Sequence, residues 1–135
     1  MHIYTDANGK EYVISITGFE IRQLKKAGID LGSPASIGNY IGNSDNLADV
    51  MLVLTEEERA KRDIDERTFL SSFLGDAIDT ARSAFVDAYV EYLPKKERAA
   101  MRKLIDHAMK ELDKMEAMID AELLKGTAGE SGSNT

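Results

Sequence analysis

Apolar and polar residues alternate at the start of the chain and recur every three or four positions afterwards, which predicts a short β-hairpin followed by helices. Ile3-Tyr4-Thr5 and Tyr12-Val13-Ile14-Ser15-Ile16 flank Asp6-Ala7-Asn8-Gly9-Lys10, whose Asn-Gly pair supplies the positive φ angles of a tight turn. Tyr12, Ile14 and Ile16 fall on one face, Val13 and Ser15 on the other, as in a sheet covered on one side. Two strands alone are marginal, so the hairpin must pack on helices or join a larger sheet.

Thr17-Gly18-Phe19-Glu20 reads as a capping box opening a helix whose apolar residues are Phe19, Ile21 and Leu24. Ala27-Gly28-Ile29 reads as its end, with glycine at C′ and an apolar residue after it. Residues 32–44 are rich in Gly, Ser and Asn and predict a loop with Ile37, Tyr40 and Ile41 as anchors. Asp45 is expected to cap a helix over 46–54, burying Leu47, Val50, Met51 and Leu54. The charge-dense segment 55–65 predicts a solvated loop or a frayed helix end. Asp65 then caps a helix with Phe69, Phe73 and Leu74, and Gly75 interrupts it. Residues 76–93 continue helically with Ile78, Ala81, Phe85, Ala88, Tyr89 and Tyr92 inward. Pro94 separates that helix from the last one.

The last third carries the strongest pattern. Residues 95–124 contain no Gly and no Pro, and Met101, Ile105, Ala108, Leu112, Met115 and Ile119 recur at alternating spacings of four and three. That is a heptad seam on a helix about 45 Å long, more than a compact domain of this size requires. Leu104, Met109, Met118 and Leu123 widen the stripe, favouring a groove or bundle over an isolated two-stranded coiled coil. Four of the six methionines, Met101, Met109, Met115 and Met118, lie here, and flexible thioethers suit surfaces that accept varied apolar partners. Two readings stay open: the stripe fills a groove against the helices of 69–93, or it meets a partner or a second copy of the chain. The expected architecture is α+β, mainly α. Residues 1–94 form a hairpin packed on a helical bundle. Residues 95–125 form a long amphipathic helix within that domain or protruding from it, and residues 126–135 a disordered tail.

Composition narrows the function. The 135 residues suit one domain, and the absence of cysteine excludes disulfides, zinc knuckles and a thiolate nucleophile. No apolar run reaches the ~18–20 residues of a membrane span, and MHIYTDANGKEY has no signal-peptide pattern, so a soluble intracellular protein is expected. The net charge of −7 is unevenly placed: residues 1–94 hold 16 acidic and 9 basic side chains, residues 95–125 hold 7 and 8. Lys95, Lys96, Arg98, Arg102 and Lys103 crowd the first turns of the last helix, where cations oppose its own dipole. They are expected to face the acidic body or an acidic partner. An acidic chain is poorly suited to nucleic acid, which needs a basic surface.

Catalytic patterns are missing from the sequence. His2 and His107 are far apart, no serine sits in a Gly-x-Ser-x-Gly elbow, and Gly38-Asn39-Tyr40-Ile41-Gly42 lacks the order of a phosphate loop. Asp63-Ile64-Asp65-Glu66 gathers carboxylates without the spacing or central glycine of a calcium loop. No catalytic residue, cofactor or metal ligand is assigned, and a non-enzymatic interaction protein is expected. Its candidate partner-binding residues are Met101, Ile105, Met109, Leu112, Met115 and Ile119, with Lys95, Lys96, Arg98, Arg102 and Lys103 supplying charge.

The order of elements over residues 1–94 resembles small tail assembly chaperones of long-tailed bacteriophages and prophages. The likeness is carried by the hairpin ending in Ile16-Thr17 and by the basic helix Ile21-Arg22-Gln23-Leu24-Lys25-Lys26 closed by Gly28-Ile29-Asp30-Leu31. Asp45-Asn46-Leu47-Ala48-Asp49-Val50-Met51-Leu52-Val53-Leu54 and the stretch from Phe69 through Pro94, with Phe73-Leu74-Gly75-Asp76-Ala77-Ile78-Asp79-Thr80-Ala81 and the closing Tyr92-Leu93-Pro94, complete it. The resemblance implies a mostly helical, non-enzymatic protein of the host bacterial cytoplasm. Such a protein binds the tape-measure protein, keeps it soluble during tail morphogenesis and is left out of the mature virion. The alternative is a phage structural protein such as a head–tail connector or tail-completion protein. The 95–125 helix has no counterpart in the resemblance, and its stripe also offers a surface for self-association.

Overall fold

A computed structural model of the chain describes residues 2–32 and 34–133, with side chains described at 2–32 and 36–123. The chain is mainly helical with one N-terminal hairpin, the expected class. Strands β1 (His2–Thr5) and β2 (Glu11–Ile14) pair antiparallel with Tyr4 opposite Tyr12 and Ile3 opposite Val13. Asp6 ties the turn: its Oδ1 accepts from the N–H groups of Asn8 and Lys10 at 2.9 and 2.8 Å, and Gly9 takes φ +83°. Tyr4, Tyr12, Ile14 and Ile16 are buried while Val13 faces out, as the alternation predicts.

Helix α1 (Gly18–Lys26) opens on the expected capping box of Thr17 and Glu20. It closes in a Schellman turn: Ile29 N–H donates to the Leu24 carbonyl at 2.9 Å and Gly28 N–H to that of Lys25 at 3.0 Å, with Gly28 at φ +86°. Leu24 and Ile29 are both buried there, but Phe19 is exposed.

The segment expected to be a loop holds helix α2 (Pro34–Ile41). Proline at the first helical position loses no hydrogen bond and brings its φ pre-set, which outweighs the Gly and Asn content. Ile37 and Ile41 are buried and Tyr40 half-buried, so the anchors stand although the element differs. Tyr89 Oη donates to the Leu31 carbonyl at 2.8 Å and Arg82 Nε to that of Ile41 at 2.9 Å, pinning both ends of this segment to one later helix.

Helix α3 (Ser44–Leu54) starts two residues earlier than expected, because Asn43 Oδ1 accepts from Asp45 and Asn46 N–H at 2.9 and 3.1 Å. Asp45 lies in the first turn instead. Leu47, Val50 and Met51 are buried and Leu54 half-buried. The charge-dense segment, expected as a solvated loop or a frayed helix end, is the short helix α4 (Glu56–Lys61), with no buried residue. Its arginines turn back on the core. Arg59 lies 5.5 Å over the Phe69 ring and donates to the Leu52 carbonyl at 2.8 Å, and Arg62 lies 4.8 Å over Tyr12 and donates to the Glu11 carbonyl at 2.8 Å.

Asp65 caps α5 (Glu66–Ser71) as expected, accepting from Thr68 N–H at 2.7 Å; hydrogen bonding from the Thr68 side chain, then from its backbone, draws the Asp65 carboxyl pKa down. Phe69 is buried, Phe73 half-buried and Leu74 exposed. Gly75, at φ +58° and ψ −133°, makes the break that leads into α6 (Asp76–Tyr92).

Helix α6 is the axis of the fold. Ala77, Ala81, Ala84, Phe85, Val86, Ala88, Tyr89 and Val90 are all buried, a wider face than the expected stripe, while Tyr92, expected inward, is exposed. The small alanines let β1, α3 and α7 approach it from different sides. Tyr4, Tyr12, Phe69 and Phe73 form an aromatic cluster with ring centroids 5.7–6.2 Å apart. Helix α7 (Lys95–Ser133) follows Pro94 and packs against α2 and α6. Its helical backbone passes Gly126, where composition predicts that order ends. No proline follows Pro94 to remove a helical donor, and residues 134–135 lie outside those described.

Candidate partner-binding surface

The seam of α7 divides into a buried and an exposed part. Met101 and Ile105 are 6% and 2% exposed and belong to the core; Ala108, Met109 and Leu112 are half-buried against it. From Met115 onward the same seam is open. Met115 is 57% exposed, Met118 68% and Ile119 57%, and Leu123 and the earlier Leu104 are exposed as well. Ile105 to Ile119 spans about 21 Å of helix, enough to carry the seam past the edge of α2 and α6.

Six apolar residues were expected to meet a partner. The fold uses Met101 and Ile105 for itself, leaves Met109 and Leu112 at the margin, and presents Met115 and Ile119. Met118 belongs with the last two. It lies outside the strict heptad seam, among the residues that widen the stripe in the sequence, three positions after Met115 and next to Ile119. Exposed methionines clustered with an isoleucine are unusual on a surface whose neighbours are Asp113, Glu116 and Asp120.

The basic first turns divide in the same way. Arg98 is structural: its Nε donates to the Leu93 carbonyl at 2.9 Å and a terminal nitrogen to that of Glu91 at 3.0 Å. These carbonyls lie at the C-terminal end of α6, where a cation is favoured by orphan acceptors and by the dipole. Arg102 pairs with Asp87 of α6 at 3.5 Å. Cations that oppose the dipole of α7 therefore serve the dipole and charges of α6, which sequence periodicity within one helix could not reveal. Lys95, Lys96 and Lys103 are exposed on α7. At the same corner Glu91 accepts a hydrogen bond from His2 Nε2, and that bond, then the charge of His2, lowers its carboxyl pKa.

No group of three or more His, Cys, Asp or Glu side chains is placed to hold a metal ion among the described residues. No described helix is long and apolar enough to cross a membrane. What the exposed end of α7 offers is an apolar ridge flanked by carboxylates. The chain matches no family model, no curated protein and no solved structure.

Proposed function

We propose that this chain is a non-enzymatic assembly chaperone of the long-tailed phage type, acting in the host bacterial cytoplasm and absent from the finished virion. It holds the tape-measure protein soluble by covering apolar helical surface until the tail tube encloses it. The observation that carries this reading is the ridge of Met115, Met118 and Ile119, presented on a helix whose other end is built into the core. A client helix laid along that ridge buries apolar surface of both partners at roughly 25 cal/mol per Å². Methionine side chains let the ridge fit successive, non-identical turns of a long client. The net charge of −7 keeps the loaded complex dispersed.

The test is co-expression with the tape-measure protein encoded beside this chain. Wild type is expected to move the client into the soluble fraction and to co-purify with it. Met115→Lys with Ile119→Lys is expected to lose both effects while keeping the wild-type circular dichroism spectrum, since both positions are exposed. A client equally soluble with the double variant, or this chain recovered in purified virions, overturns the reading and favours the connector role.

A further inference from the structure

The two edges of the hairpin are treated differently by the fold. In an antiparallel pair, residues alternate between exchanging hydrogen bonds with each other and pointing their N–H and C=O outward. Thr5 points outward, because both its backbone groups meet Thr80 Oγ1 on α6. Asp6 N–H donates to the Lys10 carbonyl at 2.9 Å, the adjacent inward pair of the same ladder. Alternation along the register then sets Tyr4–Tyr12 inward and Ile3–Val13 outward. On β2 the outward groups are those of Glu11 and Val13. The Glu11 carbonyl is taken by Arg62 at 2.8 Å. No described protein group meets the N–H or C=O of Val13.

Beside that open edge lies a groove of about 610 Å³ between β2, α1 and α4. Val13, Phe19, Val53 and Leu54 give it an apolar floor, and Phe19 is 64% exposed. Its rim carries Glu20, Glu56, Glu57 and Glu58 against one lining cation, Lys61. Lys61 pairs with Glu57 at 3.7 Å and Arg62 with Glu58 at 3.0 Å, so Glu20 and Glu56 remain as net negative charge.

We propose that the outer edge of β2 is a strand-addition site for an extended segment of a partner protein that alternates apolar and basic residues. The backbone of the segment bonds to Val13, one side-chain row fills the floor beside Phe19, and basic side chains reach Glu20 and Glu56. The N–H and C=O of Val13 anchor the segment's backbone, and the groove and charge give affinity. A second copy of this chain is the wrong occupant, since pairing β2 with β2 brings two acidic rims together. None of its lining residues lies on α7, and the proposal stands without the chaperone reading.

The experiment uses the full chain and a short peptide alternating lysine and valine, with a glutamate–valine peptide as control. Binding is read by amide chemical shifts and hydrogen exchange. The lysine–valine peptide is expected to slow exchange of the Val13 N–H at least tenfold and to shift Phe19, with no effect from the control. Val13→Pro removes the outward N–H without touching the inward ladder and is expected to abolish binding. Phe19→Ala, at an exposed site, is expected to weaken binding at least fivefold and covers the case in which the proline variant does not fold. Peptide binding that leaves Val13 exchange unchanged, or that survives Phe19→Ala, overturns the proposal as charge adsorption alone. A concentration-dependent dimer that protects Val13 without peptide overturns it in favour of a second copy.

Discussion

Thr80 seals the outer edge of β1 with one hydroxyl: its Oγ1 accepts from Thr5 N–H at 3.2 Å and donates toward the Thr5 carbonyl at 2.9 Å. The Ala77 carbonyl lies 2.9 Å from the same oxygen and shares that single proton. This is how α6 captures the hairpin. Thr80→Val keeps the shape and strands both Thr5 groups, so urea denaturation should show a loss of about 1–3 kcal/mol.

Tyr4 carries the opposite situation. It is fully buried among aromatic rings and its hydroxyl has no hydrogen-bond partner among the described residues. Tyr4→Phe removes an unsatisfied polar group, so the variant should match or exceed wild type by up to about 1 kcal/mol. Burial first, then the Asp6 carboxylate, push the Tyr4 pKa far above the ordinary 10.0; burial raises Tyr12 and Tyr89 as well. The folded state thus holds these protons more tightly than the unfolded chain. Their contribution to stability is complete below pH 10 and declines as pH rises above it. Denaturation midpoints measured in that range should fall less steeply for Tyr4→Phe than for wild type.

The corner between α6 and α7 separates structural from free charge. Arg98→Ala removes two bonds to the end of α6 and should cost about 1–2 kcal/mol in thermal or urea unfolding. Lys95→Ala, Lys96→Ala and Lys103→Ala should each stay within about 0.5 kcal/mol of wild type.

The division of the α7 seam gives the sharpest contrast. Ile105→Ala opens a cavity in the core and should cost about 2–5 kcal/mol. Ile119→Ala, the same change on the same helix and seam, should leave stability within about 0.5 kcal/mol. Unfolding curves of the two variants side by side decide it.

Much of this fold is legible along the chain because local signals and burial agree. The Asn8-Gly9 turn, the Thr17–Glu20 box, the Gly28-Ile29 ending and the Asp65 cap are each written in adjacent residues. The misreadings occur where a tertiary partner decides. Residues 34–41 look loop-like by composition, yet Ile37 and Ile41 have α3 and α7 to pack on and Arg82 of α6 to hold the end. The acidic run at 56–58 is solvated as it looks, but that Arg59 and Arg62 hold the segment against the aromatic cluster depends on rings distant in sequence. The heptad seam was plain in the sequence, but where it stops being core depends on where α2 and α6 end. Periodicity carries no such length.

Helix α7 crosses from core to solvent without a break, and this sets how its exposed end holds together. Around Ile105 the turns are clamped by neighbours, while around Ile119 they rest on their own backbone bonds, and most helical stability in proteins comes from packing of an apolar face. Amide exchange should therefore quicken stepwise along the helix, slow near Met101 and fast beyond Met115. Whatever settles on Met118 also supplies the missing wall for those turns. Docking and the final winding of the helix are then one event, with the clamped half serving as the nucleus already in place.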